Sequence, residues 1–164
     1  LTTTLLSELT ALHHPNGRRM VIIYGPGASD ARAGTVAFNV VDRSGRVVPY
    51  QHVELKALVS GVSVRGGCFC NPGAGETAEG ITDEDVAAAL EIREDLTLAR
   101  FLEIVTARGG KSVGAIRASF GIASNFADTD RLLQFVISLR DQSRLAIGTA
   151  TFDIESCRLI RDGS

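Results

Sequence analysis

Met20-Val21-Ile22-Ile23-Tyr24 and Gly34-Thr35-Val36-Ala37-Phe38-Asn39-Val40-Val41 are the stretches that decide the fold. The first is a short apolar run that reads as a strand. The second alternates: Val36, Phe38 and Val40 face one way, and Ala37, Asn39 and Val41 the other, the pattern of a half-buried strand. The short Gly25–Asp30 loop between them argues for antiparallel pairing. Asp42–Arg46 follows as a hairpin-type turn built on Ser44-Gly45.

Upstream, Leu5, Leu6, Leu9 and Leu12 recur at helical spacing, and His13-His14-Pro15-Asn16-Gly17 ends that helix. Downstream, Tyr50–Ser60 reads as a helix with Gly61 at its C-terminal cap. Val62–Arg65 is a short extended run. Gly66–Gly80 reads as a long glycine-rich loop, of the kind that carries function in a compact domain. Thr82 caps the next helix, with Asp85 three residues on in a capping-box position. Leu96–Arg108 reads as a further helix and Ser112–Ser119 as a strand. Asn125 caps the helix Phe126–Arg140, in which Leu132, Val136 and Leu139 share a face. A short strand and tail are expected after Ala146. The order α-β-β-α-β-loop-α-α-β-α-β is an α+β pattern, with a small antiparallel or mixed sheet and helices packed on one side.

Length and composition fit this picture. The chain has 164 residues, 45% of them hydrophobic, which suits one domain with one core. A net charge of −2 gives no reason to expect nucleic-acid or membrane-surface binding. No apolar run approaches the roughly 20 residues of a bilayer span. Three cysteines make a disulfide framework a poor fit, and a reducing, cytoplasmic setting is expected. Residue 1 is Leu and Leu1–Leu12 already reads as helix body, so residues 1–164 are expected to be a segment of a longer chain.

Two segments carry chemistry. In Arg65-Gly66-Gly67-Cys68-Phe69-Cys70-Asn71-Pro72-Gly73-Ala74-Gly75-Glu76, two cysteines at i and i+2 point the same way from extended backbone. Arg65 and nearby N–H groups would raise the thiolate fraction. Cys68 and Cys70 supply only two zinc ligands, and His13, His14 and His52 lack knuckle spacing, so no metal is expected; a metal- or partner-binding loop stays the alternative. Cys157 reads as a structural thiol. In Gly114-Ala115-Ile116-Arg117-Ala118-Ser119-Phe120-Gly121, an arginine stands inside a strand of small and apolar residues. Buried, it would need an acidic partner, either an internal carboxylate or one belonging to a ligand.

The first of these segments resembles the active loop of molybdenum-cofactor sulfurases, a variant of the Arg-Thr-Gly-His-His-Cys loop of cysteine desulfurases. Gly114–Gly121 with Asn125-Phe-Ala-Asp128 is similar to the arginine strand and capped helix of the same superfamily, aminotransferase class V, and Tyr24-Gly25-Pro26 and Val36–Val41 fit its small domain. The resemblance implies the C-terminal small domain of a fold-type I pyridoxal-phosphate enzyme. It implies Cys70 as the persulfide-forming nucleophile and Arg117 as the clamp on the carboxylate of an amino-acid substrate such as cysteine. Arg65 would support substrate binding. It further implies a large domain that holds pyridoxal phosphate on a lysine, a sulfur acceptor, and a homodimer of the parent. A transaminase or lyase without persulfide chemistry is the alternative on the same fold. Gly66 departs from the threonine or alanine common at its position, and Gly75 from the cysteine usual in sulfurases. The chain's lysines are Lys56 and Lys111. Gly109-Gly110-Lys111-Ser112 imitates a phosphate-binding loop, but Val105 stands where the first glycine is needed, so it reads as a surface turn. Without the cofactor's lysine, this chain alone is expected to be inactive.

Overall fold

The computed structural model describes residues 1–27, 32–67, 72–91, 114–140, 150–153 and 158–161. Five helices are described: α1 (Thr2–Ala11), α2 (Tyr50–Val59), α3 (Pro72–Glu79), α4 (Asp83–Leu90) and α5 (Phe126–Ser138). They are joined by β1 (Val21–Tyr24), β2 (Thr35–Val40), β3 (Arg65–Gly67), β4 (Ala115–Ser119), β5 (Ala150–Asp153) and β6 (Arg158–Arg161).

The α+β expectation holds. A four-stranded sheet has the order β1-β2-β4-β3, and each neighbouring pair is antiparallel. Its inner face carries Val21, Val36, Phe38, Val40, Ile116 and Ala118, all buried. They pack with Leu5, Leu6 and Leu9 of α1, Val53 and Ala57 of α2, and Leu132, Leu133, Phe135 and Val136 of α5. Alternation explains the division, since residues one apart on a strand leave opposite faces. Helices α1, α2 and α5 therefore cover this face; on the other, Asn39 and Ala115 are also buried while Arg65 and Arg117 are exposed.

Local chemistry sets the boundaries. The turn at 42–46 is closed by Asp42 N donating to Arg46 O at 2.8 Å, and the Asp42 carboxylate accepts from Ser44 N and Arg46 N. Burial raises the Asp42 carboxyl, but hydrogen bonds from Ser44 and Arg46 outweigh it and bring it to about 2. The expected capping box of Thr82 with Asp85 is present, and the cap expected at Asn125 proves to be a capping box too, closed by Asp128. His14, expected in a breaker run, is buried, with its ring Nε2 2.8 Å from Val41 O.

Three readings need adjustment. The stretch 66–80 is not one loop: Gly66 and Gly67 belong to β3, and Pro72–Glu79 form α3. Proline at the first helical position costs no hydrogen bond, and the run of small and acidic residues after it tolerates the helix. The tail holds two strands: β5 and β6 pair antiparallel in a separate two-stranded sheet, with Ala150 opposite Arg161. Arg117, expected among buried residues of its strand, is exposed. The expected helix 96–108 lies outside the described residues, as do residues 112 and 113 of the expected strand.

Candidate anion-binding site

Arg117 is not buried. It lies in β4 as expected, but its neighbours Ile116 and Ala118 take the core and it leaves on the exposed face. The costly buried charge anticipated from the apolar strand does not arise, because alternation turns this one residue outward. The register then places a row across that open face: Tyr24 opposite Ala37, Ala37 opposite Arg117, and Arg117 opposite Arg65.

The last pair is the notable one. Directly opposite residues on one face of antiparallel strands have Cβ atoms about 5 Å apart, and like charges there repel. Arg65 and Arg117 are both exposed. Among the described residues neither meets a carboxylate; the ion pair found there is Arg46 with Asp42, at 3.1 Å in the turn. Two planar forks with donors and no acceptor have the chemistry that an anion, a carboxylate above all, would match.

Two contacts fix this strand pair. Gly66 N donates to Glu54 Oε1 of α2 at 3.2 Å, which ties β3 to the helix layer. The Tyr50 ring, at the start of α2, presses on Gly66 and Gly114 from the inner side. A Cβ at Gly114 would lie 2.7 Å from Tyr50 Cε1, and one at Gly66 would overlap the ring outright. The glycine that departs from the family pattern at position 66 thus makes room for an aromatic side chain.

A polar cluster adjoins the row. Asn39, fully buried in β2, donates from Nδ2 to Tyr24 Oη at 3.0 Å and to Gly114 O at 2.9 Å. Glu79, at the end of α3, accepts from Gly114 N. Burial pushes the Glu79 carboxyl up to about 7, against the Gly114 N–H, which pulls it down. Burial also raises the Tyr24 phenol, Asn39 lowers it, and the negative charge of Glu79 raises it again. Sequence reading missed Glu79 and Asn39. The one available signal was an asparagine in an otherwise apolar strand.

Cys68 and Cys70 lie outside the described residues, and so do Cys157 and Lys111. The chain enters the cysteine segment from β3, which carries Arg65, and leaves it into α3, which carries Glu79. Among the described residues no group of three or more His, Cys, Asp or Glu is placed to hold a metal ion. Among them, too, no helix is long and apolar enough to cross a membrane.

No protein-family model matches the chain. Curated relatives do. The chain is 36% identical over 137 residues to a molybdenum cofactor sulfurase of Drosophila melanogaster, covering 82% of this chain and 17% of that protein. It is 34% identical over 141 residues to one of Bos taurus, covering 82% and 15%. A third, of Solanum lycopersicum, is 35% identical over 132 residues, covering 80% and 15%. The chain thus spans about a sixth of the length of these curated relatives.

Proposed function

We propose, from the premise that this chain belongs with the molybdenum cofactor sulfurases, which are pyridoxal-phosphate enzymes like the class V aminotransferases, that it is the C-terminal small domain of a cysteine-desulfurase-like enzyme. The observation that carries the reading is the Arg65–Arg117 pair: two exposed cations opposite each other in register, without an acidic partner among the described residues. A substrate carboxylate relieves their repulsion and takes parallel hydrogen bonds from a guanidinium fork. Fixing the carboxylate leaves the rest of the amino acid with a defined reach, which is how positioning residues lower a barrier.

Cys70 is the nucleophile in this reading. Its thiolate attacks the substrate sulfur. The carbon–sulfur bond breaks, a sulfur–sulfur bond forms on Cys70, and the electron pair left on the substrate carbon takes a proton to give alanine. The products are a Cys70 persulfide and alanine, and a sulfur acceptor later discharges the persulfide. Pyridoxal phosphate, when bound in the parent, supplies the electron sink that labilises bonds around the substrate's α-carbon.

Whether this chain fits that cofactor turns on its lysines. Lys56 rides on α2, whose Val53 and Ala57 pack in the core on the inner side of the sheet, so it stands on the side away from Arg117. The residues described here fit the substrate's carboxylate and not the cofactor's attachment. The attachment is assigned to a large domain elsewhere in the parent, with a homodimer as its working form in the cytoplasm.

The test uses the full-length protein with cysteine as substrate. Cys70→Ala is expected to abolish persulfide formation, read by mass spectrometry, and to stop alanine release. Alanine release at an undiminished rate, with no sulfur adduct on the native Cys70, would remove the persulfide step and leave lyase or transaminase chemistry on the same arginine pair.

A further inference from the structure

Gly114 is the residue on which the arginine strand hangs. It begins the run into β4, three residues before Arg117. Its φ of +116° is open to glycine and strained for other residues, so little in its own chemistry fixes its direction. Among the described residues three neighbours do so instead. Tyr50 closes the inner side. Asn39 of β2 holds its carbonyl at 2.9 Å. Glu79 holds its N–H across 35 residues of sequence. The Asn39 bond continues to Tyr24, so one connected set of hydrogen bonds runs from α3 through Gly114 to β1.

We infer that Glu79 is a positioning residue for substrate: by accepting from the Gly114 N–H it fixes the start of β4, and with it the placement of Arg117 opposite Arg65. The inference rests on the reading of that pair as the carboxylate site. In this role Glu79 acts through the backbone of Gly114 and not on the substrate itself.

The choice of a carboxylate matters. A glutamine oxygen would accept the same N–H without a charge to desolvate. With glutamate the tether titrates. The groups around it are the Tyr24 phenol on β1, the neutral Asn39 on β2, and Arg117 and Arg65 further along the face on β4 and β3. Among the described residues no cation offsets its burial. Its value of about 7 against an ordinary 4.5 means that protonation sets in as pH falls through neutrality. The protonated group is a weaker acceptor, the tether slackens, and substrate affinity falls on the acid side.

The experiment measures kcat and KM for cysteine in the full-length enzyme from about pH 6 to about pH 8.5, for wild type, Glu79→Gln, Glu79→Ala and Arg117→Ala. Ratios of variant to wild type cancel the titration of the substrate itself. Glu79→Ala is expected to raise KM roughly tenfold at the alkaline end, the scale of one lost charge-assisted hydrogen bond, with kcat much less affected. Glu79→Gln, whose amide oxygen accepts without charge, is expected to give an alkaline KM between those of wild type and Glu79→Ala and to lose the rise in KM that wild type shows below neutrality. If Glu79→Ala does not fold, the Gln variant decides alone. An acid limb in Glu79→Gln identical to wild type, while Arg117→Ala raises KM, overturns the role of Glu79 and leaves the carboxylate site standing. An unchanged KM in Arg117→Ala overturns the carboxylate reading itself.

Discussion

Gly66 shows how much one residue can hide. Read in sequence, it is a departure from the threonine or alanine common in related loops. In the fold it is the place where the Tyr50 ring lies against the backbone of β3. Gly66→Thr would require the ring to leave its position over β3 and β4. Overpacking of this kind costs about 1–3 kcal/mol. The variant is therefore expected to unfold at lower urea concentration than wild type, and Tyr50→Ala in the same chain should recover part of the loss. Additive penalties in that double variant would show that ring and glycine do not interact. Nothing in the residues 65–76 announces Tyr50, since the contact joins two elements and exists only after the chain has folded. The same holds for Glu79, whose partner Gly114 is remote in sequence.

Elements whose signals are local were legible, and those that needed a partner were not. The capping box at Thr82 and the cap at Asn125 could be read directly, because the residues that close them lie within one turn. Asn125 Oδ1 accepts from Ala127 N at 2.8 Å and from Asp128 N at 3.3 Å, while Asn125 N donates to the Asp128 carboxylate at 3.0 Å. Asn125→Ala leaves these donors to water and is expected to cost about 1 kcal/mol, whereas Asn125→Ser keeps most of the cap. Equal urea midpoints for wild type and the alanine variant would show that the cap does not hold α5. By contrast, α3 looked like loop, since two glycines in its first half mask a helix that proline starts and Gly80 follows. The strands β5 and β6 gave a weaker pattern still, and their pairing emerges only from the register.

At the scale of the whole molecule, the layer arrangement followed from alternation, and what alternation left open is where the chemistry sits. Apolar residues at every second position of β1, β2 and β4 required a helix layer on one face. They said nothing about what occupies the other. That face carries Tyr24, Ala37, Arg117 and Arg65 in one row, and its two cations oppose each other in register. Such a pairing lowers the stability of the ligand-free molecule and raises its attraction for anions, so stability and binding should move in opposite directions on substitution. Arg65→Gln removes one charge and keeps hydrogen-bonding capacity. In low salt it is expected to stabilise the chain by a few tenths of a kcal/mol, roughly the worth of an exposed charge interaction. Because the Debye length falls to about 8 Å at physiological ionic strength and about 3 Å at 1 M, the gain should shrink as salt is added. In the full-length enzyme the same substitution should raise KM for the amino-acid substrate. Urea midpoints across a salt series and KM measured together decide it. A variant less stable than wild type at every ionic strength would mean that the two guanidinium groups do not repel across β3 and β4, and the open face would lose its claim to have been kept charged for a ligand.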